Sequence, residues 1–390
     1  MATLGSGLGT WMATIALAHD INHRTHSSCW VGALFVVTFL PSVVVGLAAG
    51  PLIDRLSRKR LVIAADLARM GVIGVLPFVS SAAAIVALAA VAGVANSFFR
   101  PAVLAAVPNL VADDELVHGT ALIQATDWAA ATLGPALGGA LTSAWGPHLV
   151  YWINAATFVF SALLLFRIPA RLLQSEQAIT RGHWRDIREG LSAFRSSPAM
   201  LTALVSFGVA MVAIGLINVS EVFLAENALH QGAFGYGLLW AATGLGLVIG
   251  SLATGALLEG REVTSIYPLA FLPWAAGILG AAIAPDIWLA SAAMVLSGFG
   301  NGLAFPMTVL IVQRHTSDRL RGRAFTVIIS AHNAVLGIGM VTAAGLTAVA
   351  GSRWTYAIAA VLLASASVTA LVLSRGVRTS AVASARQQAA

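Results

Sequence analysis

The chain has 390 residues, of which 58% are hydrophobic and only 10% are charged. Soluble domains carry about 45–50% apolar and about 25% charged residues, so this chain could not cover a water-facing surface of its size. The composition excludes an ordinary soluble enzyme and a disordered or fibrous chain. It indicates a protein that crosses a lipid bilayer many times.

Twelve apolar runs of roughly bilayer length follow one another along the sequence. They lie at residues 3–18, 30–51, 61–80, 82–107, 120–144, 148–167, 200–222, 233–257, 265–284, 286–311, 323–348 and 352–374. The first run is short for a bilayer, and we expect a truncated first helix. The predicted fold class is an all-α membrane protein with twelve transmembrane helices.

The basic residues between these runs predict the orientation of the chain. When the even-numbered loops and both termini are placed in the cytoplasm, 18 Lys and Arg residues lie inside, and only Arg24 and Arg353 lie outside. This asymmetry follows the positive-inside rule. We therefore predict a multi-pass protein of the cell inner membrane with cytoplasmic termini. The net charge of +6 is loop charge and does not indicate a nucleic-acid partner.

The sequence also predicts two similar halves. Residues 47–54 match residues 252–259 at an offset of 205, and Gly134 matches Gly337 at an offset of 203. Matches at nearly one offset, at corresponding helix ends, indicate two six-helix repeats, an arrangement typical of transporters. The predicted organisation is an N-terminal bundle at 1–167, a cytoplasmic linker at 168–199, a C-terminal bundle at 200–374 and a cytoplasmic tail at 375–390.

Residues 50–60, which read G-P-L-I-D-R-L-S-R-K-R, resemble the signature loop of the major facilitator superfamily, G-x-L-x-D-R-x-G-R-R/K. Ser57 stands where that motif usually has Gly. The resemblance covers essentially the whole chain and implies a cytoplasmic gate; the alternative is a plain basic loop. The predicted gate residues are Gly50, Asp54, Arg55, Arg58, Lys59 and Arg60.

The fifth run carries a second motif, Leu133-Gly-Pro-Ala-Leu-Gly-Gly139. It resembles the G-P-x-x-G-G segment of the antiporter branch of that superfamily. The alternative is generic close packing of small residues between helices. The motif residues are Gly134, Pro135, Gly138 and Gly139.

Asp66 and Arg69 are three residues apart and therefore share one helix face. With Asp54 and Arg100 they are predicted to form a charge network on the cytoplasmic side; a substrate site is the alternative. Residues 66–69, 98–102 and 318–325 resemble a bacterial exporter subgroup that includes macrolide-efflux and enterobactin-export proteins. Thr10 stands where that subgroup commonly has Asp.

Ionisable groups inside a membrane are costly and usually functional. Asp127 on the fifth helix and Glu221 near the outer end of the seventh are the predicted proton-coupling carboxylates. For Asp127 the alternative is a structural hydrogen bond, and for Glu221 it is an interfacial carboxylate that meets water. Glu226 is expected in the outer loop.

Polar and aromatic residues within the runs are candidates for a substrate cavity. Their side chains could bind an amphipathic compound, although packing against a neighbouring helix or lipid is the alternative for each. The candidates are Gln124, Trp128, Asn218, Trp240, His332 and Asn333.

Taken together, these features predict a secondary transporter, most simply a proton-coupled exporter of a small amphipathic compound such as a drug or siderophore. The alternatives are a metabolite importer or facilitator and a non-transporting, degenerate membrane protein. The sequence contains no G-x-x-x-x-G-K-[ST] motif, which argues against direct use of ATP. We expect no enzymatic activity, no cofactor and no metal. The expected partners are a small-molecule substrate, protons and the lipid bilayer, and the protein is expected to be a monomer.

Overall fold

The computed structural model describes residues 2–48, 58–106, 116–169, 194, 197–316 and 318–388. This part of the chain forms twelve long helices, in agreement with the predicted fold class. They are α1 Ala2–Thr25, α2 Ser28–Ala48, α3 Arg58–Val75, α4 Ala82–Ala106, α5 Leu116–Trp145, α6 Pro147–Arg167, α7 Pro198–Phe223, α8 Gly232–Leu258, α9 Val263–Ile283, α10 Ile287–Arg314, α11 Asp318–Ala350 and α12 Ser352–Gln388.

Nine segments within the described residues are long and apolar enough to cross a membrane. They are Lys59–Phe78, Ala82–Phe99, Pro147–Arg167, Pro198–Ala228, Gly232–Leu258, Val263–Ile283, Ile287–Arg314, Ala324–Ala350 and Ser352–Ser374. Helix α2 adds a shorter apolar stretch, Ser28–Ser42. The first predicted span, residues 3–18, is too short, because α1 continues past residue 18 to Thr25. Its last turns are polar and are held by side-chain pairs described below.

Short turn signals separate the helices. Gly146, with φ of 79°, precedes Pro147 at the start of α6, and Gly351, with φ of 81°, separates α11 from α12. A backbone conformation with positive φ favours glycine. The Asp286 carboxylate caps α10 by accepting the backbone N–H groups of Trp288 and Leu289. These signals are local, which is why the sequence predicts most helix ends within a few residues.

The described chain divides into two compact units. The first comprises Met1–Thr180, Asn218–Ala241 and Ala343–Gly351, and the second comprises Arg181–Ile217, Ala242–Thr342 and Ser352–Ala390. The first unit thus includes the C-terminal ends of α7 and α11 and the start of α8, which the charge pattern places on the outer side. The sequence-derived boundaries at 167, 199 and 374 remain predictions.

Close backbone contacts hold the second unit together. A Cβ on Gly246 of α8 would stand 2.0 Å from the Val295 carbonyl oxygen of α10, and a Cβ on Gly298 would stand 2.0 Å from the Thr243 carbonyl oxygen. Only glycine permits this approach. The glycines of these two helices therefore serve helix packing.

Candidate functional site

Four polar side chains meet in the first unit where the end of α1 lies against the turn that follows α7. His19 Nδ1 lies 2.6 Å from Glu226 Oε1, and Asn22 Nδ2 donates to Glu226 Oε2 at 2.7 Å. Asn22 Nδ2 also lies 3.3 Å from Asn227 Oδ1. We call His19, Asn22, Glu226 and Asn227 the outer cluster, after the side on which the charge pattern places it. Both oxygens of the Glu226 carboxylate are engaged.

A π-helical turn, Leu224–Ala228, presents two of these side chains. It continues α7 directly, so the expectation that Glu226 lies in an outer loop was wrong. A π turn carries more residues per turn than an α-helix and redirects the side chains within it. The Glu226 side chain is only 11% exposed because it points onto α1.

A second ion pair lies beside the outer cluster on the same turns of α1. Arg24 Nε donates to Asp20 Oδ1 at 2.7 Å, and the Tyr151 hydroxyl of α6 donates to Asp20 Oδ2 at 3.2 Å. Arg24 is one of the two basic residues that the charge pattern places outside. The nearby carboxylate and tyrosine tie the end of α1 to α6.

Glu221 is buried one helical turn before the π turn. Its residue is 3% exposed, and its Oε1 atom has no hydrogen-bond partner. The alternative of an interfacial carboxylate that meets water is therefore wrong. The hydroxyl of Tyr236 on α8 is buried as well, and it interacts electrostatically with Glu221 and Glu226. Asn218, one turn earlier on α7, is half-buried.

The glycines of the antiporter-like segment bring α5 against α1 and α8. A Cβ on Gly138 would stand 2.6 Å from the Met12 carbonyl oxygen, and one on Gly139 would stand 2.5 Å from the Ala233 carbonyl oxygen. Gly134 and Pro135 are buried in the same interface. The segment therefore packs against α1, which carries His19 and Asn22, and against α8, which carries Tyr236 and Trp240.

An aromatic pair lies beside this packed segment. The rings of Trp11 on α1 and Trp240 on α8 have centroids 5.3 Å apart, and the indole N–H of Trp240 interacts with the Tyr236 hydroxyl. On α5, Gln124 is exposed, whereas Asp127 and Trp128 are half-buried. The structure thus brings Trp240 and Glu221 into one unit, where Tyr236 lies beside both.

Asp66 and Arg69 form a buried ion pair inside the first unit. An Arg69 Nη atom donates to Asp66, and the other donates to Asn96 Oδ1 at 3.0 Å. The guanidinium carbon also lies 4.4 Å from the ring centroids of both Phe99 and Phe158. Sequence reasoning found the charged pair but not its aromatic sandwich. Asp54 and the side chain of Arg100, the other predicted network members, lie outside the described residues.

One residue of the predicted gate motif has a defined role in the structure. Lys59 Nζ donates to the carbonyl oxygens of Phe166 at 2.7 Å and Ile168 at 2.6 Å, at the C-terminal end of α6. A cation there satisfies terminal carbonyls and complements the helix dipole. Arg60 is exposed. Gly50, Asp54, Arg55 and the side chain of Arg58 lie outside the described residues.

The two cavity candidates on α11 lie in the second unit. His332 is 8% exposed, and its Nε2 atom donates to the Leu204 carbonyl oxygen at 3.1 Å. Its ring centroid lies 5.2 Å from that of Phe207. Asn333 is half-buried. These contacts favour packing for His332. Within the described residues, no group of three or more His, Cys, Asp or Glu side chains is placed to hold a metal ion.

Twelve helices, most of them membrane-length, with buried ionisable side chains between them define a membrane transport protein. The family model described as Major Facilitator Superfamily matches residues 1–262 and 209–389. The chain belongs to the Major Facilitator Superfamily. Membership implies that its substrate is a small molecule.

Similar proteins of this family occur in several bacteria. An uncharacterized MFS-type transporter, YfiS of Bacillus subtilis, is 27% identical over 86% of this chain and 82% of that protein. The multidrug efflux pump Tap of Mycolicibacterium fortuitum is 24% identical over 91% of this chain and 90% of that protein. The enterobactin exporter EntS of Citrobacter koseri is 29% identical over 79% and 74%.

Solved structures with the same fold include two transporters. The nucleoside transporter NupG aligns with a TM-score of 0.74 at 14% identity, over 95% of this chain and 96% of that one. A bacterial homologue of the iron transporter ferroportin, in an inward-facing state, also aligns with a TM-score of 0.74 at 14% identity, over 96% and 97%. At this identity the likeness concerns the fold.

Proposed function

We propose that this protein is a proton-coupled exporter of a small amphipathic compound, such as a drug or a siderophore. It acts as a monomer in the inner membrane, with both termini in the cytoplasm, by alternating access. A multidrug efflux pump and an enterobactin exporter among its relatives support the direction of transport. The antiporter-like segment Gly134-Pro135-Ala136-Leu137-Gly138-Gly139 on α5 supports exchange with protons.

The observation that carries this proposal is the buried carboxyl group of Glu221. It sits in a membrane-length helix with Oε1 unpaired, and an ionised carboxylate in such a place is costly unless it is neutralised. A proton is the smallest group that can neutralise it. Glu221 therefore has the properties of a proton carrier, and Asp127, half-buried on α5, is the second candidate.

One coupling carboxylate gains and loses a proton in the proposed cycle. With the cytoplasmic side open, cargo enters while the coupling carboxylate is ionised. With the outer side open, a proton binds the carboxylate oxygen and the cargo leaves. The neutral carboxyl then returns to the cytoplasmic side and releases the proton there. Aromatic and amide side chains would hold the apolar and polar parts of the cargo; the candidates are Gln124, Trp128, Asn218, Trp240, His332 and Asn333.

Everted membrane vesicles test the coupling directly. With an acidic interior, the wild-type protein should accumulate a fluorescent dye, and collapse of the pH gradient should stop accumulation. Glu221→Gln and Asp127→Asn should abolish gradient-driven accumulation and retain exchange of labelled for unlabelled dye. Exchange needs no net proton movement, so it reports a folded and working carrier.

Asp286→Asn is the matched control, because that carboxylate caps α10 at an exposed position and asparagine is also a good N-cap. It should accumulate dye at the wild-type rate. Wild-type accumulation by both Glu221→Gln and Asp127→Asn would refute their assignment. Gradient-driven accumulation in right-side-out vesicles instead would identify an importer.

A further inference from the structure

The outer cluster ties two helices that are far apart in the sequence. His19 and Asn22 lie on the last turns of α1, and Glu226 and Asn227 lie in the π turn after α7. These helices begin the two halves of the chain, and alternating access requires the outer ends of the halves to separate. Contacts between these ends must therefore be made and broken in each cycle.

We propose that His19, Asn22 and Glu226 form a proton-binding site that locks the outer end of α1 to the end of α7. The site is closed in this structure, with both Glu226 oxygens engaged at 2.6 Å and 2.7 Å. Binding of a proton to the Glu226 carboxylate opens it. This inference rests on the proposed proton coupling and assigns a second proton site, distinct from Glu221 and Asp127.

The chemistry of the three side chains determines the direction in which the lock responds to pH. Protonated or neutral, His19 can donate an N–H from Nδ1 to a carboxylate, and Asn22 donates at any pH. A protonated Glu226 gives up the charge that attracts the imidazolium. It also places a hydroxyl hydrogen on one of two oxygens that now accept N–H groups. The lock therefore weakens when the pH falls and protons occupy Glu226.

Access to the site comes from the exposed end of α1. The His19 side chain is 21% exposed, and its ring centroid lies 6.0 Å from that of His23, which is exposed. His23 in turn lies 6.5 Å from the ring of His26 at the end of the helix. The Glu226 side chain itself is 11% exposed beside His19.

Other titratable side chains among the described residues lie near the lock, where His19 and Asn22 hold the two Glu226 oxygens. On α1, Asp20 is paired with Arg24, and on α6 the Tyr151 hydroxyl binds Asp20 while His148 lies beside Tyr151. Glu221 on α7 is buried, and Tyr236 on α8 interacts with both glutamates. Asp20 has its own cation, Arg24, and its contacts are separate from those of Glu226.

The distance between two outer labels reports the lock without any transport assay. Cys29, the single cysteine of the chain, is exposed at the first turn of α2, and His230 is exposed just after the π turn. A His230→Cys variant therefore gives a pair of spin-label sites with no other thiol. The full chain is placed in lipid nanodiscs without cargo and without a pH gradient, and the label distance is measured between about pH 7.5 and about pH 4.5.

The proposal predicts a short distance between the two labels at neutral pH. A population with a longer label distance should grow as the pH falls. Glu226→Gln should make the distance distribution independent of pH. His19→Gln, which keeps a donor but cannot become cationic, should open at a higher pH than the wild type. His23→Gln, one turn away with no bond to Glu226, is the matched control and should titrate like the wild type.

A pH-independent distance in the protein with intact Glu226, or an unchanged titration in Glu226→Gln, would overturn the proposal. A monodisperse size-exclusion profile establishes folding of each variant, and His19→Gln tests the site independently of Glu226→Gln. Wild-type dye export by Glu221→Gln and Asp127→Asn would refute the proposed coupling residues, yet it would leave the label distances and their pH response unaffected. The two failures are thus distinguishable.

Discussion

Gly139 on α5 and Gly237 on α8 face each other so closely that a Cβ on either would stand 2.9 Å from the other's Cα atom. One glycine comes from the antiporter-like segment, and the other lies one turn before Trp240. Their contact fixes the distance between the helix that carries the segment and the helix that carries Tyr236 and Trp240. The close approach of α5 thus positions the surroundings of Glu221.

A larger side chain at Gly139 should separate these helices. We expect Gly139→Val to cost at least about 1–3 kcal/mol of stability, because the neighbouring atoms are backbone and cannot move aside. Thermal unfolding in detergent measures the loss. Gly74→Val on α3 is the control, because a Cβ there meets nothing within 4 Å. Equal melting temperatures of the two variants would contradict the packing role.

The buried Asp66–Arg69 pair should be more sensitive to loss of one partner than to loss of both. Arg69→Leu leaves a 0% exposed carboxylate without its cation, so it should destabilise the protein by about 3–5 kcal/mol. The double variant Asp66→Leu/Arg69→Leu should recover most of that loss, because no buried charge remains. Thermal unfolding of the single and double variants checks this. A double variant less stable than Arg69→Leu would contradict this account, because Asp66 would then stabilise the protein without its cation.

Lys59 should control the order of the last turn of α6. Lys59→Met keeps the length of the side chain but removes the donor to the Phe166 and Ile168 carbonyls. Charge-assisted hydrogen bonds are worth about 1.5–3 kcal/mol, so amide exchange near residues 165–168 should accelerate about tenfold or more. Hydrogen–deuterium exchange measures this. Arg60→Met, next to it on an exposed side chain, should leave the exchange of that turn at the wild-type rate.

The role of His332 can be separated into packing and cargo contact. His332→Ala removes a buried ring from Phe207 and should cost about 2–4 kcal/mol. His332→Phe keeps the ring and loses only the hydrogen bond to Leu204, so it should cost about 0.5–1.5 kcal/mol. Thermal unfolding distinguishes them. Unchanged stability in both variants, together with loss of dye binding, would identify a cavity residue.

The helices and their number follow from the sequence because apolar length is a local property. The two basic residues that the charge pattern places outside, Arg24 and Arg353, both have partners close by in the structure. Arg24 is paired with Asp20 on its own helix, and Arg353 caps α9 by donating to the Ala282 and Ala284 carbonyl oxygens at 2.8 Å. Both side chains are held by partners at helix ends.

The outer cluster could not be predicted, because its members are 204 to 207 residues apart. Nothing in the sequence around Glu226 indicates a π turn, and a carboxylate after the seventh apolar run is typical of a loop. The row of His19, His23 and His26 at helical spacing was the available signal. It marks one face of α1 as polar, but a partner for that face appears only when α7 is packed against it.

The π turn at Leu224–Ala228 makes the lock depend on chain length as well as on side-chain chemistry. Deleting Ala225 would remove the extra residue of the π turn, let the segment relax into ordinary α-helix and change the direction in which the Glu226 side chain leaves the helix. The Glu226 side chain would then point away from α1, although every residue of the lock was still present. An insertion or deletion in this segment would abolish the pH response of the lock more effectively than many substitutions would.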